Sequence, residues 1–425
     1  MTATRAAAGP RPKPIPSAPL PRPRSARGAL AVLLLTIFIE MMGFGLIIPF
    51  LPFWAERFGA SPDLVALLMS TYAICQLVSA FGWGWASDRV GRKAIILASL
   101  CGTVVAYLWL AEASALWMLF AARALNGSMG GTIPVAQAYI ADISPPERRA
   151  HGIGLLGAAM GCGFIMGPAL GALLAGGNAA APDFTTSFLV AAGITGAAFV
   201  LGLVLLRNPP RARTEAVPGG VSARLKAIGA VLAMPAVAAP IAANVLLSFV
   251  MSGVESTFVL WTERQFGWGP RNNGYLLAFI GLTLVFAQGV LVGRLTARMG
   301  EPRTAVLGAV LFGAGLALSP LAALIVPEAA LPLVILGSML LATGLGMSQP
   351  ALHGLTSRNA PPDRQGAVLG AGQSCQSFAR ILGPAFAGLL FAHVGRHAPY
   401  LTGAVIMTVA VVIALRVAPL RPARS

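Results

Sequence analysis

Apolar stretches of roughly twenty residues recur along nearly the whole chain, separated by short polar connectors. A helix of about 20 apolar residues crosses the ~30 Å hydrocarbon core of a bilayer. Twelve such spans can be placed, at 30–52, 64–86, 93–112, 115–139, 152–175, 185–206, 237–260, 273–296, 304–326, 331–353, 366–392 and 398–418. Every connector is short except 207–236, which opens RNPPRARTEAVPGG and reads as a linker. It divides the chain into two six-span halves, 30–206 and 237–418, flanked by tails at 1–29 and 419–425. The pattern predicts an all-α polytopic membrane protein, its twelve transmembrane helices arranged as two pseudo-symmetric six-helix bundles.

Composition agrees: the 425 residues are 56% hydrophobic and only 10% charged, and the mean hydropathy is +0.77. A soluble core of that size needs far more charge to cover its surface. The net charge of +16 would suggest nucleic acid in a soluble chain, but here the charges sit in connectors, so no nucleic-acid partner is expected. With both termini cytoplasmic, the inside segments hold 24 Lys and Arg, and the outside connectors hold four: Arg57, Arg264, Arg271 and Arg396. That asymmetry sets the orientation. Arginine outnumbers lysine 27 to 3, as in high-GC bacterial genomes, which points to a bacterial cytoplasmic (inner) membrane.

The first 27 residues are rich in Pro and Arg, lack acids, and read as a disordered cytoplasmic tail. The run that follows is too long for a cleaved signal, lacks a cleavage site and carries Glu40 in its middle. The cysteines (Cys75, Cys101, Cys162, Cys375) fall inside spans without paired spacing and read as packing residues.

The halves repeat one another. PPERR (145–149) and GPALGALLA (167–175) recur as PPDRQ (361–365) and GPAFAGLLF (383–391) at a constant offset of 216. GWASDRVGR (84–92) has a weaker echo in GRLTARMGE (293–301) at an offset of 209. Such a duplication is a transporter architecture, with the substrate path between the halves near the midplane.

The connector GWASDRVGRK packs Asp88, Arg89, Arg92 and Lys93 into six residues. Arg92 and Lys93 suit a positive-inside loop, but Asp88 does not. At the end of span two it can pair with Arg89, Arg92 or a helix N-terminus, as a latch that breaks when the halves rock. Gly84 and Gly91 allow close approach and a tight turn. In the echo, Ala297 stands in Asp88's place, so the latch is assigned to the first half alone. In span five, Gly154, Gly157, Gly161, Gly163, Gly167 and Gly171 strip away side chains so that another backbone can come close, and Pro168 frees a helix carbonyl.

These segments resemble the major facilitator superfamily. GWASDRVGRK is similar to its loop signature between spans two and three, and RALNG (123–127) to its proton-associated span-four motif. GLLGAAMGCGFIMGPALG (154–171) is similar to the Gly-rich antiporter motif, and GFGLIIPFLP (43–52) to the span-one signature of twelve-span drug:proton antiporters. With SALWMLFAARALNG (114–127), the likeness is nearest to the tetracycline/proton antiporter branch and covers most of residues 30–420. It implies the major facilitator fold and exchange of protons for a drug. One departure concerns the substrate: those antiporters carry an acid in span three where this chain has Ala106, which puts tetracycline itself in doubt.

Four charged residues lie well inside spans, where ionised groups are costly unless they face water or a partner. Glu40 is the candidate proton carrier, its alternative role being a structural partner of Arg123 or Arg380. Arg123 and Glu255 are candidates for the coupling around it. Arg380 shares a helical face with Gln373, Gln376 and Ser377, a polar stripe suited to a cavity wall. Tyr72, Gln76, Gln137, Asn244 and Gln349 are further lining candidates.

There is no Walker A segment, no His/Cys cluster (His151, His353, His393 and His397 fall in loops or at span ends) and no Ser-His-Asp set. The expectation is no enzyme, no metal and no cofactor. The proton gradient supplies the energy, the partners are protons, a small amphipathic molecule and the bilayer, and the working unit is a monomer. A proton symporter or uniporter of a small metabolite stays open, as does a transport-inactive receptor or scaffold.

Overall fold

Proline opens helix after helix in this chain, at Pro23, Pro62, Pro146, Pro235 and Pro270. In the first turn its missing N–H has no partner to lose, and its fixed φ suits the helix. The computed structural model describes residues 23–130, 132–174, 183–206, 208, 228–361 and 364–417, apart from the side chains of Gly84, Asp88 and a few others.

Span one is Pro23–Ile47, continued after a break by Leu51–Arg57. Spans two and three are Pro62–Val90 and Arg92–Ala111. Span four is split into Leu116–Met129 and Thr132–Ile143, and spans five and six are Pro146–Leu174 and Phe184–Leu205. Span seven is Pro235–Phe266. Span eight runs from Pro270–Phe286 through a π-helical turn, Ala287–Leu291, into the start of Val292–Ile325. That last helix reverses at Gly300 (φ 81°), and its remainder is span nine. Ala330–Asn359, Gln365–His393 and Ala398–Val417 complete the set. Among the described residues ten helices are long and apolar enough to cross a membrane. Dividing Pro270–Ile325 at Gly300 and joining the two pieces of span four gives twelve passes. No strand occurs among the described residues.

One boundary is corrected. Helix starts at Pro23, not 30, because the stretch after Pro23 has no further proline to interrupt it. Residues 1–22, most of the linker (207 and 209–227) and 418–425 lie outside the described residues.

Packing repeats across the halves. Span one lies against spans five and six, as span seven lies against eleven and twelve; span three meets six as nine meets twelve. The duplicated Gly-Pro segments do the same work in both. A Cβ at Gly167 would meet the Met42 carbonyl at 2.5 Å and Gly45 at 2.7 Å in span one, and a Cβ at Gly383 would strike Ser252 and the Phe249 carbonyl in span seven. Gly91 (φ 109°) and Gly300, 209 positions apart, turn the two equivalent loops with a positive φ that glycine alone adopts readily.

Those loops carry mirrored ion pairs. Arg92 Nε meets Asp142 Oδ2 at 3.1 Å, and Glu301 Oε1 meets Arg358 at 3.1 Å, with the charges exchanged. Glu301 thus stands where the first loop has its arginine, and Arg358 where it has its acid, so each loop is tied within its own half.

Candidate functional site

The halves meet along two seams, spans two with eleven and five with eight. On the first seam Gly388 closes on Ala66 and Asp63, and Ser70 Oγ donates to the Ile381 carbonyl at 3.0 Å. On the second, a Cβ at Gly274 would lie 2.6 Å from Ala172 and 2.7 Å from the Pro168 carbonyl, and one at Gly281 2.7 Å from Ile165. At Gly161 the nearest atom, on Val285, is already 3.6 Å away. Four residues further along each helix, Gly157 and Gly289 have nothing within 4 Å, and neither do Gly82 and Gly370 on the other seam. Span eight carries its π-helical turn where the seam parts, a common cause of a helix bend. The bundle is thus shut at the end holding Glu56 and Arg264 and parted at the end holding the Arg92 and Glu301 loops.

The antiporter-motif residues divide accordingly. Gly163, Gly167 and Gly171 sit at i, i+4 and i+8 against span one, while Gly157 and Gly161 face the parting seam. Pro168 is buried under Gly274.

In the first half Glu40 is 7% exposed, and its Oε2 has no partner. It faces the hydroxyl of Thr132, which shares a hydrogen bond of 2.6 Å with Ser99. Thr132 opens the second described piece of span four, Thr132–Ile143. Arg123 is 4% exposed and forms no ion pair among the described residues. Its guanidinium lies over the rings of Tyr72 (4.6 Å) and Phe44 (5.8 Å), donates to Met69 Sδ at 3.8 Å, and leaves Nε without a partner. Pairing of Glu40 with Arg123 or Arg380, the structural alternative, is absent here. Gln76 Nε2 donates to the Tyr72 hydroxyl at 3.2 Å and to the Gly130 carbonyl at 3.3 Å.

In the second half, the exposed Phe378, Leu382 and Leu389 mark the outer face of span eleven. Arg380 and Gln373 are exposed on the opposite face, so they open to the interior between the halves. Glu255 is the one exposed residue of span seven between 241 and 262, hence also inward, and it feels the charge of Arg380 without an ion pair forming. Gln376 is buried and hydrogen-bonds His353 at 3.2 Å. Gln349 is half-buried and Gln137 is exposed. Asn244, at 1% exposure, does not line the cavity: it is enclosed by packing, with Oδ1 unpaired, which corrects its reading as a lining residue.

For the latch, Arg92 bonds Asp142 and Ser87, Arg89 is exposed, and the Gly84 and Asp88 side chains lie outside the described ones. Three residues were given no role in the sequence. His353, read as a span end, lies inside Ala330–Asn359, four residues from Gln349 on the same face. Phe44 stands four after Glu40. Asp142 lacked any local signal, since its partner is 50 residues away.

The shut end is held by a polar network across the halves. Arg264 meets Glu56 Oε1 at 3.0 Å and stacks over Phe391 at 5.0 Å, and Arg396 donates to the Arg264 carbonyl at 2.7 Å. His397 Nδ1 accepts from the Trp261 indole at 3.1 Å. Burial, and then the positive charge of Arg396, hold the His397 imidazole below its ordinary value. Among the described residues no cluster of His, Cys, Asp or Glu can hold a metal.

Comparison with known proteins places this geometry. The family model described as Major Facilitator Superfamily matches residues 33–384, and again 264–425. The class G tetracycline resistance protein of Vibrio anguillarum is 33% identical over 366 residues, 84% of this chain and 89% of that protein. The class C protein of Escherichia coli is 32% identical over 370 residues, 86% and 90% of the two chains. Among solved structures, a bacterial homologue of the human lysosomal transporter Spinster, inward-facing and occupied, superimposes with a TM-score of 0.73 at 16% identity, over 94% of this chain and 98% of that one.

Proposed function

Starting from a chain that belongs to the Major Facilitator Superfamily, whose members are integral membrane transporters and not enzymes, we propose that it is a proton-coupled antiporter. It exports a small amphipathic compound by alternating access, in a bacterial cytoplasmic membrane, with both termini inside. The excess of Lys and Arg beside the parted end supports placing that end in the cytoplasm, so the conformation described is open inward.

The observation that carries the reading is Glu40: a carboxyl group deep in span one, with one oxygen unpartnered and no cation beside it. An acid so placed is held most cheaply with a proton on it and must meet water or a partner to release it. The Thr132 and Ser99 hydroxyls give it a polar neighbour. In the cycle, a proton from outside occupies Glu40, the halves rock, and the cargo leaves from the opposite face. Likeness to tetracycline resistance proteins supports exchange over co-transport.

The test uses inverted membrane vesicles with an acid interior. Added cargo dissipates the gradient if the protein exchanges it for protons, and a co-transporter gives the opposite proton movement. Glu40→Gln abolishes uphill movement while leaving downhill exchange of cargo. A Glu40→Gln protein that still pumps uphill overturns the proton-site assignment.

A further inference from the structure

The transport reading leaves the charge of the cargo open, and two arginines narrow it. Arg123 comes from the first half and Arg380 from the second, and Tyr72 is near both: its ring is 4.6 Å from the Arg123 guanidinium, and the charge of Arg380 acts on it as well. The Ser70–Ile381 hydrogen bond fixes span two against span eleven at this level, next to both Tyr72 and Arg380.

Neither arginine forms an ion pair among the described residues. Arg123 has ring faces and a thioether around it and an unpartnered Nε, although only 4% of it is exposed. Arg380 opens to the interior with Glu255 beyond ion-pairing reach, and Glu40 reaches neither. A guanidinium does not shed its proton, so a buried one without a counter-anion carries a desolvation cost that an anionic occupant can remove. Aromatic rings stand beside Arg123: Phe44, under its guanidinium, is 5.2 Å from Tyr72 and 6.1 Å from Phe164. Gln76, on the Tyr72 hydroxyl, supplies a neutral polar edge.

We propose that the cargo is an amphipathic organic anion whose carboxylate or similar group seats between Arg123 and Arg380, with its planar apolar body against Phe44, Tyr72 and Phe164. The site spans both halves, so filling it favours the state in which the two arginines converge. This deepens the transport reading and rests on it for the claim that the occupant is carried.

The test measures binding to the purified full-length protein with three probes of one shape: 2-naphthoate, the uncharged 2-naphthamide and the cationic 2-naphthylmethylammonium. Naphthoate is expected to bind about tenfold tighter than the amide, as for a charge-assisted hydrogen bond to guanidinium. Arg380→Gln, at an exposed position, should erase that preference by weakening naphthoate far more than the amide, and Arg380→Lys should restore part of it. Arg123→Gln is read only beside Arg123→Lys, because the site is buried, and Arg380→Gln carries the test if neither folds. Equal or tighter binding of the amide or the cation, no naphthoate binding at millimolar concentration, or a preference that survives Arg380→Gln overturns the inference. Proton movement in vesicles separates the two readings. A cationic probe that drives protons sinks the anion site and leaves antiport standing, whereas naphthoate that binds and crosses without moving protons sinks antiport alone.

Discussion

The two ends of this bundle use the same residue types in different ways. At the shut end, glycines press against the opposite half: Gly274 on Ala172 and Pro168, Gly388 on Ala66. The ion pair there, Arg264 with Glu56, crosses from one half to the other. At the parted end the seam glycines (Gly82, Gly157, Gly289, Gly370) touch nothing, and the ion pairs Arg92–Asp142 and Glu301–Arg358 each stay within one half. Contacts across the halves hold a conformation, while contacts within a half stiffen a body that moves. The seams therefore behave as a gate, and the loops as braces that ride with their own half.

The largest effect expected from this contrast comes from adding bulk to one end at a time. Gly274→Leu inserts a side chain where a Cβ already meets atoms at 2.6 Å and 2.7 Å. Overpacking of that kind costs about 1–3 kcal/mol, a shift of roughly tenfold to hundredfold toward the state with the Glu56 end parted. Gly157→Leu meets empty space in the present state and leaves it as it is, but it obstructs the opposite closure, so uphill transport is lost. Labels at Ser61 and Val394, in a protein with its native cysteines replaced, report the separation by pulsed electron resonance. Equal lengthening in both variants would mean that the two ends are not a gate and its opposite.

Ion pairs give the next contrast. Arg264 and Glu56 are both partly exposed, so a double-mutant cycle on Glu56→Gln and Arg264→Gln should return a coupling of about 0.5–1 kcal/mol. It should appear in the label distance as a few-fold change of population. The same cycle on Arg92→Gln and Asp142→Asn should appear in thermal stability and leave the distance unchanged. Coupling of the Arg92 pair to the gate distance would remove the distinction between brace and latch.

How far these features were legible in the sequence follows from their range. Apolar length and charge asymmetry placed the twelve passes, and the offsets of 216 and 209 located Gly167 with Gly383 and Gly91 with Gly300, because each is a local signal written twice. The polar stripe of Arg380, Gln373, Gln376 and Ser377 came from helical periodicity; Arg380 and Gln373 are exposed, whereas Gln376 is buried against His353. Pairings between distant residues had no such signal. Arg264 finds Glu56 across 208 residues, and Arg92 finds Asp142 across 50. The approach of Thr132 to Glu40 and the π turn of span eight likewise carry no local signal in the sequence. Asn244 reads as a cavity residue by its polarity, yet only the packed structure reveals that it is enclosed.

The smallest effect is also the one that acts at the shut end without any substitution. His397 accepts the Trp261 indole N–H while Arg396 stands beside it. Burial, and next the charge of Arg396, hold its folded value below the ordinary 6.5. The unfolded imidazole thus takes its proton at a higher pH than the folded one. The contribution of the neutral ring is fully present above pH 6.5 and is lost as pH falls through the folded value. A protonated ring cannot accept from Trp261, and it adds a second cation next to Arg396. Acidifying from pH 7 to 5 should therefore alter the Trp261 emission, taken as the difference between the parent protein and Trp261→Phe. His397→Gln should flatten the change, because its amide does not titrate. If the emission change persists in His397→Gln, the shut end loosens through an acid elsewhere in the network, and Glu263, whose half-buried carboxyl hydrogen-bonds Glu56, becomes the group to replace next.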